Sequence, residues 1–268
     1  MRCNPPGQAG RVVTVTVTVA VIDSGVSPIP QLGRSTSAQS RSFVPGESLD
    51  RDDVHGTEMA VIVHAAAPTA RLLILKALDD QEGGSQQNLA TAIDYAVAHG
   101  ARVINLSAAG AEKSSEVSAA IANASRHDVL VVVAAGNEGL NSDVYPSYPA
   151  NYRWPTLVAV AAADRQGNLA ANSNWGKRTI ALGAAGVAVA TFAPTGALVH
   201  VSGSSPAAAV VSGTAASVLS QRPNLTAPQL RSALIATAYR TAGLEGKTIS
   251  GGELDMTRML GCARTTAG

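Results

Sequence analysis

The chain has 268 residues, of which 46% are hydrophobic and 15% charged, enough apolar surface to offset the entropy of ordering and so to exclude a disordered polymer. Its 20 basic and 19 acidic residues leave a net charge of +1, and aromatics are 3%. That leaves no cationic surplus to neutralise a phosphate backbone and few rings to stack on bases, which excludes nucleic acid as a partner.

In chain order, residues 1–12 read as an N-terminal extension without the apolar stretch of a secretion signal. The run from Val13 to Ile22 alternates valine with threonine and is too short for a membrane span, so it reads as a strand ending at Asp23. No membrane association is expected, and if the chain is the whole gene product the expected compartment is the cytoplasm. Ser24 to Asp53 is rich in turn formers and reads as surface loop, followed by a short helix from His55 to His64. Strands are expected at Arg71–Leu78, Arg102–Leu106, Asp128–Ala134, Trp154–Ala161 and Thr179–Leu182. Between them, Ser85–His99 places Leu89, Ile93, Ala96 and Val97 on one helical face and stops at Gly100. Glu116–Ser125 and Ala207–Gln221 are further helices, and Thr226-Ala227-Pro228-Gln229 has capping-box spacing with proline in the first turn. Gly139–Ser147 reads as a loop. The alternation predicts an α/β fold, a three-layer sandwich around a mostly parallel sheet of roughly seven strands, with right-handed crossovers. Residues 13–262 are expected to form one domain and 263–268 a C-terminal tail. Cys3 and Cys262 either staple the termini or are unrelated thiols; two cysteines make no disulfide framework and no four-cysteine zinc site.

Four segments place a polar side chain where a strand ends or a helix begins. Val21-Ile22-Asp23-Ser24-Gly25 ends a buried strand on a carboxylate, at the sheet edge where open α/β folds bind ligands. Asp53-Val54-His55-Gly56-Thr57 opens a helix with a histidine, and Ser202-Gly203-Ser204-Ser205 feeds an alanine-rich helix. Taken singly, each has a plainer reading as turn, cap or surface residue. Together, Asp23, His55 and Ser205 follow one of the recurrent orders of acid, base and nucleophile, in which the carboxylate fixes the tautomer of the base that deprotonates serine. Ala134-Ala135-Gly136-Asn137 adds an amide able to donate to an oxyanion, with the backbone N–H of Ser205 at a helix N-terminus as the second donor.

These four segments resemble the aspartate, histidine, oxyanion and serine motifs of the subtilisin-like serine proteases, and the resemblance runs from about Val13 to Ala238. The 32-residue separation of Asp23 and His55 is usual for that family. Val103-Ile104-Asn105-Leu106-Ser107 resembles the strand beside which the substrate backbone lies. The resemblance implies a serine endopeptidase acting through an acyl-enzyme on Ser205, without a cofactor. Its peptide or protein substrate would be bound as an extended strand by Ser107, Ala108, Ala109, Ala135 and Gly136. It leaves open a peptide ligase or macrocyclase on the same triad, and a weak or inactive relative acting as a peptide-binding scaffold. Oligomeric state is not specified.

The chain also departs from the family. Glu58 stands where a second histidine is usual, and is expected to alter polarity near the cleft. Ala65-Ala66-Ala67-Pro68-Thr69-Ala70 replaces a calcium loop; calcium takes about six to eight oxygen ligands, so no metal is expected there. Pro206 to Val210 replaces Met-Ala-x-Pro-His, which changes what packs beside Ser205. The 22 residues before Asp23 are too few for the folding prodomain common among secreted relatives, so the expectation is either that a prodomain was removed or that the enzyme folds without one, as intracellular or pathway-dedicated members do. Glu138 is either a solvated loop carboxylate or part of a side-chain pocket favouring basic residues. His64, His99 and His127 fit helix ends, where a cation meets the dipole, and His200 lies on the strand before Ser205.

Overall fold

In a computed structural model, residues 14–50, 54–79 and 83–261 are described. The N-terminal extension, the start of the first strand at Val13, Cys3, Cys262 and the tail lie outside them.

The elements are β1 (Thr18–Asp23), β2 (Arg41–Ser42), α1 (Val54–Ala66), β3 (Arg71–Lys76), α2 (Gln86–Ala98), β4 (Val103–Leu106), α3 (Ser115–Arg126), β5 (Leu130–Ala134) and β6 (Leu157–Ala163). There follow β7 (Leu182–Ala185), β8 (Val189–Phe192), β9 (Leu198–Val201), α4 (Ser204–Gln221), α5 (Ala227–Thr237), β10 (Tyr239–Arg240), β11 (Gly252–Glu253) and α6 (Met256–Met259). The main sheet has nine strands among the described residues, in the order β10-β11-β7-β6-β5-β4-β1-β3-β2. Every neighbouring pair is parallel except β10–β11. Six of the seven parallel strands from β7 to β2 are the expected ones; β2 falls in the segment read as surface loop and, like β10 and β11, has only two residues, too few to carry a hydrophobic period. In the β8–β9 hairpin, β9 is the strand on which His200 was expected, whereas β8 was not expected; its residues are mostly half exposed and lack a strand's clean alternation. The strand expected at 179–182 lies at Leu182–Ala185, because Thr179 and Ile180 close a turn onto Gly176.

The central strands are buried on both faces, which is why their sequences run apolar rather than alternating. One core, with Val19, Val21, Ile74 and Val132, packs under α1, α4 and α5. The other, with Ala20, Ile22, Ile104 and Val131, packs under α2 and α3. Caps set the helix ends: Ser85 and Ser114 accept the backbone N–H groups of Asn88 and Val117, and Thr226 with Gln229 forms the full capping box. His99 and His127 are the C-caps of α2 and α3.

Because the strands are parallel, β1, β4 and β5 all finish at one edge of the sheet. Asp23, the segment after Leu106 and the segment after Ala134 therefore meet above it. α4 crosses the sheet face against α1, with the Ser217 hydroxyl donating to Ala66 O at 2.7 Å, and brings its N-terminus to the same edge.

Candidate active site

Asp23 is fully buried at the last position of β1. Its Oδ1 accepts the backbone N–H of Ser24 at 2.8 Å and lies 2.7 Å from Nδ1 of His55. A carboxylate only accepts, so Nδ1 carries the proton and Nε2 of the neutral ring presents its lone pair. His55 sits in the first turn of α1, half exposed. The next residue must be glycine, since a Cβ at Gly56 would run into the carbonyl oxygen of Gly25. That close approach brings the helix start against the Asp23 turn, and the Ser24 hydroxyl accepts the Gly56 N–H at 3.2 Å.

A buried lysine completes the turn, and no motif flagged it. Lys76 ends β3 opposite Asp23 in register and is 0% exposed. Its ammonium donates to the Ser24 carbonyl and approaches Oε2 of Glu47 at 3.0 Å, an ion-pair contact off the hydrogen-bond direction. The signal in the sequence was a charge closing the apolar run Leu72-Leu73-Ile74-Leu75.

Ser205 is the second residue of α4, so its N–H is among the first-turn donors that have no partner within the helix. Its hydroxyl donates to the carbonyl of Ser107 at 3.4 Å. Pro206, next in the first turn, removes an N–H that the helix does not need and leaves α4 intact through Gln221.

Asn137 follows β5. Its Oδ1 accepts both the backbone N–H of Ser204 at 2.8 Å and the Ser204 hydroxyl at 3.1 Å, which turns the NH2 group away from these donors. The Ser204 hydroxyl in turn accepts the Gly136 N–H at 3.1 Å. Asn105 ties the neighbouring strand to the same helix: its Nδ2 donates to the Ser107 hydroxyl at 3.0 Å and its Oδ1 accepts from Ser212 of α4 at 2.9 Å.

A cleft of about 470 Å³ gathers His55, Ser107, Ala108, Ala109, Gly136, Asn137 and Ser205. Ala135 does not reach this wall. It is fully buried, its N–H is bonded to Val160 O and its carbonyl accepts from Asn174, and Ala134 lines the cleft instead. Glu58 lies one helical turn beyond His55 and is 9% exposed, lining the cleft rather than the outer surface. Glu138 also lines it, with Oε2 accepting from Asn174 Nδ2 at 2.5 Å. His200, on β9, is exposed. The 65–70 segment ends α1 and turns directly into β3, and no cluster of three or more His, Cys, Asp or Glu able to hold a metal occurs among the described residues. No helix among them is long and apolar enough to cross a membrane.

A hydroxyl, an imidazole whose Nδ1 faces a buried carboxylate, and an amide held at the end of β5 are the parts needed for acyl transfer. Comparison with known proteins agrees. Subtilisin Savinase of Lederbergia lenta is 34% identical over 232 residues, 83% of this chain and 83% of that protein. Subtilisin E of Bacillus subtilis strain 168 is 34% identical over 235 residues, 83% of this chain and 60% of that protein. The chain likewise spans 59% of the alkaline protease of Shouchella clausii. The structure of a lanthipeptide protease superposes with a TM-score of 0.82 over 91% of this chain and 86% of that one, at 26% identity. The protease domain of PatA shares the fold at a TM-score of 0.75 and 24% identity, over 93% of this chain and 96% of that one. The protein is thus a serine endopeptidase. A model of the subtilase family matches residues 15–260, and the chain belongs to that family.

Proposed function

We propose that this subtilase cleaves peptide bonds through an acyl-enzyme on Ser205, with His55 as general base, Asp23 as the carboxylate that orients it, and Asn137 with the Ser205 N–H as oxyanion donors. The 2.7 Å contact of His55 Nδ1 with Asp23 Oδ1 carries the reading, because it leaves Nε2 to take the serine proton. An extended peptide lies beside Ser107, Ala108 and Ala109 and adds to the edge after β4. Its scissile carbonyl sits between Ser205 and Asn137. Ser205 Oγ attacks the carbonyl carbon, His55 takes the hydroxyl proton and gives it to the leaving amine, and water then hydrolyses the ester. Residues 13–262 act as one catalytic domain, and no cofactor takes part.

The finer role is maturation of a particular peptide or protein, for which the likeness to a lanthipeptide protease at a TM-score of 0.82 is the support. The test is labelling with a fluorophosphonate followed by mass spectrometry of a mixed peptide library, each with wild type and Ser205→Ala. Wild-type-only adduct and products bearing an added water are expected. A folded wild type that neither labels nor cleaves overturns the reading, and products without added water reassign it to transpeptidation.

A further inference from the structure

We infer that a pocket at the far edge of the sheet, between Arg34, Arg71 and the last turn of α1, docks an acidic segment of the substrate polypeptide away from the cleaved bond; the assignment rests on the chain acting on peptides.

The pocket, of about 490 Å³, lies where β1 and β3 begin rather than where they end. Asp23 and Lys76 close these strands beside the cleft, whereas Thr16, just before β1, and Arg71, the first residue of β3, line the pocket. The segment after Gly33 runs alongside the start of β3: the Leu72 N–H donates to Ser35 O at 2.8 Å and the Ser37 N–H to Leu72 O at 2.7 Å. Thr36 pairs with Leu72 in parallel, which sets Arg34 beside Ala70 and next to Arg71. Both arginines are exposed, neither makes a hydrogen bond or ion pair among the described residues, and no acidic residue lines the pocket. Two unanswered guanidinium groups make it a site for an anion.

Two further residues of the lining say which anion. Nδ1 of His64 and Oε1 of Gln31 are buried and have no hydrogen-bond partner among the described residues. A small inorganic anion answers the arginines but brings no N–H for the Gln31 oxygen. A peptide bearing aspartate or glutamate supplies both, carboxylates for the guanidinium forks and backbone N–H groups for Gln31. Neither terminal stretch of this chain complements the pocket: residues 1–13 carry Arg2 and Arg11, residues 262–268 carry Arg264, and neither has an acidic residue. The acidic segment therefore belongs to another polypeptide, and the one this enzyme must meet is its substrate. α1 joins the two sites, with His55 in its first turn and His64 in its last, nine residues or about 14 Å apart. Ten residues of extended chain reach about 33 Å. A substrate held in the cleft at its scissile bond thus spans to the pocket, and the second contact raises the effective concentration of the first.

The experiment uses peptides identical around the scissile bond and extended, at one end or the other, by a Gly/Ser linker and then a short run of glutamate or of glutamine. Steady-state kinetics are measured for wild type and Arg34→Gln/Arg71→Gln at low and high salt. With a linker of about ten residues at one of the two ends, the glutamate peptide should have a KM about tenfold below its glutamine counterpart with kcat little changed. The gain should shrink at high salt and vanish with a linker of about three residues, which cannot span the distance. The double variant should abolish the gain and leave the glutamine peptides unaffected. Equal kinetics for glutamate and glutamine peptides at both ends, or a gain that survives the double variant, overturns the inference and leaves the proteolytic reading standing. If Ser205 neither labels nor cleaves, the proteolytic reading fails, and titration of the same peptides into Ser205→Ala decides this one. Tighter binding of the glutamate peptide, lost in Ser205→Ala/Arg34→Gln/Arg71→Gln, upholds the pocket; equal or absent binding overturns it.

Discussion

The hydroxyl of Ser204 stands between Gly136 and Asn137, accepting the N–H of one at 3.1 Å and donating to the amide oxygen of the other at 3.1 Å. One side chain thus couples the N-terminus of α4 to the end of β5 and fixes which way the Asn137 amide faces. Ser204→Ala keeps the backbone bond to Oδ1 but frees the amide to rotate and leaves the Gly136 N–H without its acceptor. We expect kcat to fall about tenfold with KM little changed, the mark of an interaction made in the transition state. Asn137→Leu should cost about 10²–10³-fold in kcat. Steady-state kinetics on one peptide, with circular dichroism as the folding control, checks both.

Ser205→Ala should lower kcat by about three or more orders of magnitude, and His55→Ala by nearly as much. Asp23→Asn should cost about 10⁴-fold, because an amide lets Nδ1 become the acceptor and puts the proton on the wrong nitrogen. The double variant Ser205→Ala/His55→Ala should be no slower than either single one, as expected of groups that act as a unit.

Lys76→Met should lower folding stability by about 3 kcal/mol, since it leaves Glu47 and the Ser24 carbonyl without their cation in a closed site. The denaturation midpoint reports this. Adding Glu47→Gln should recover part of the loss, which a simple packing defect at Lys76 would not allow.

Burial lowers the pKa of His64 from its ordinary value. The unfolded chain therefore binds a proton more readily than the folded one just below the unperturbed histidine pKa. The contribution of His64 to stability is complete above that pKa and is lost as pH falls from it toward the depressed folded value. Unfolding free energy of wild type measured down through this window should drop more steeply than that of His64→Gln.

The parts of the fold visible in the sequence are those where one physical pattern dominates. Val131 to Ala134 is apolar without interruption because both faces of β5 are covered, and Thr226 with Gln229 announces a helix start through chemistry confined to one turn. The short strands β10 and β11 were invisible, since two residues held by partners distant in the chain leave no local period. At the site, Asp23, His55, Asn137 and Ser205 stood out through their strand-end and helix-start settings. Lys76 and Asn174 did not, for their importance lies in what they hold: a carbonyl in one case, and in the other a carboxylate from a different loop. Ala135 lies between Ala134 and Gly136, which both line the cleft, because alternation along the strand turns every second residue away from it.

The parallel order of β3, β1, β4 and β5 also governs when the protein becomes dangerous to its surroundings. Each pairing joins segments separated by a helical crossover, and the N-terminus of α4 is needed as well before Ser205 and Asn137 face His55. Such contacts are slow to close, because loop entropy is spent before they are rewarded. A chain still on its way to the native state thus has the residues of a protease without the ability to cut. Cleavage is expected only once these distant segments have met at one edge of the sheet.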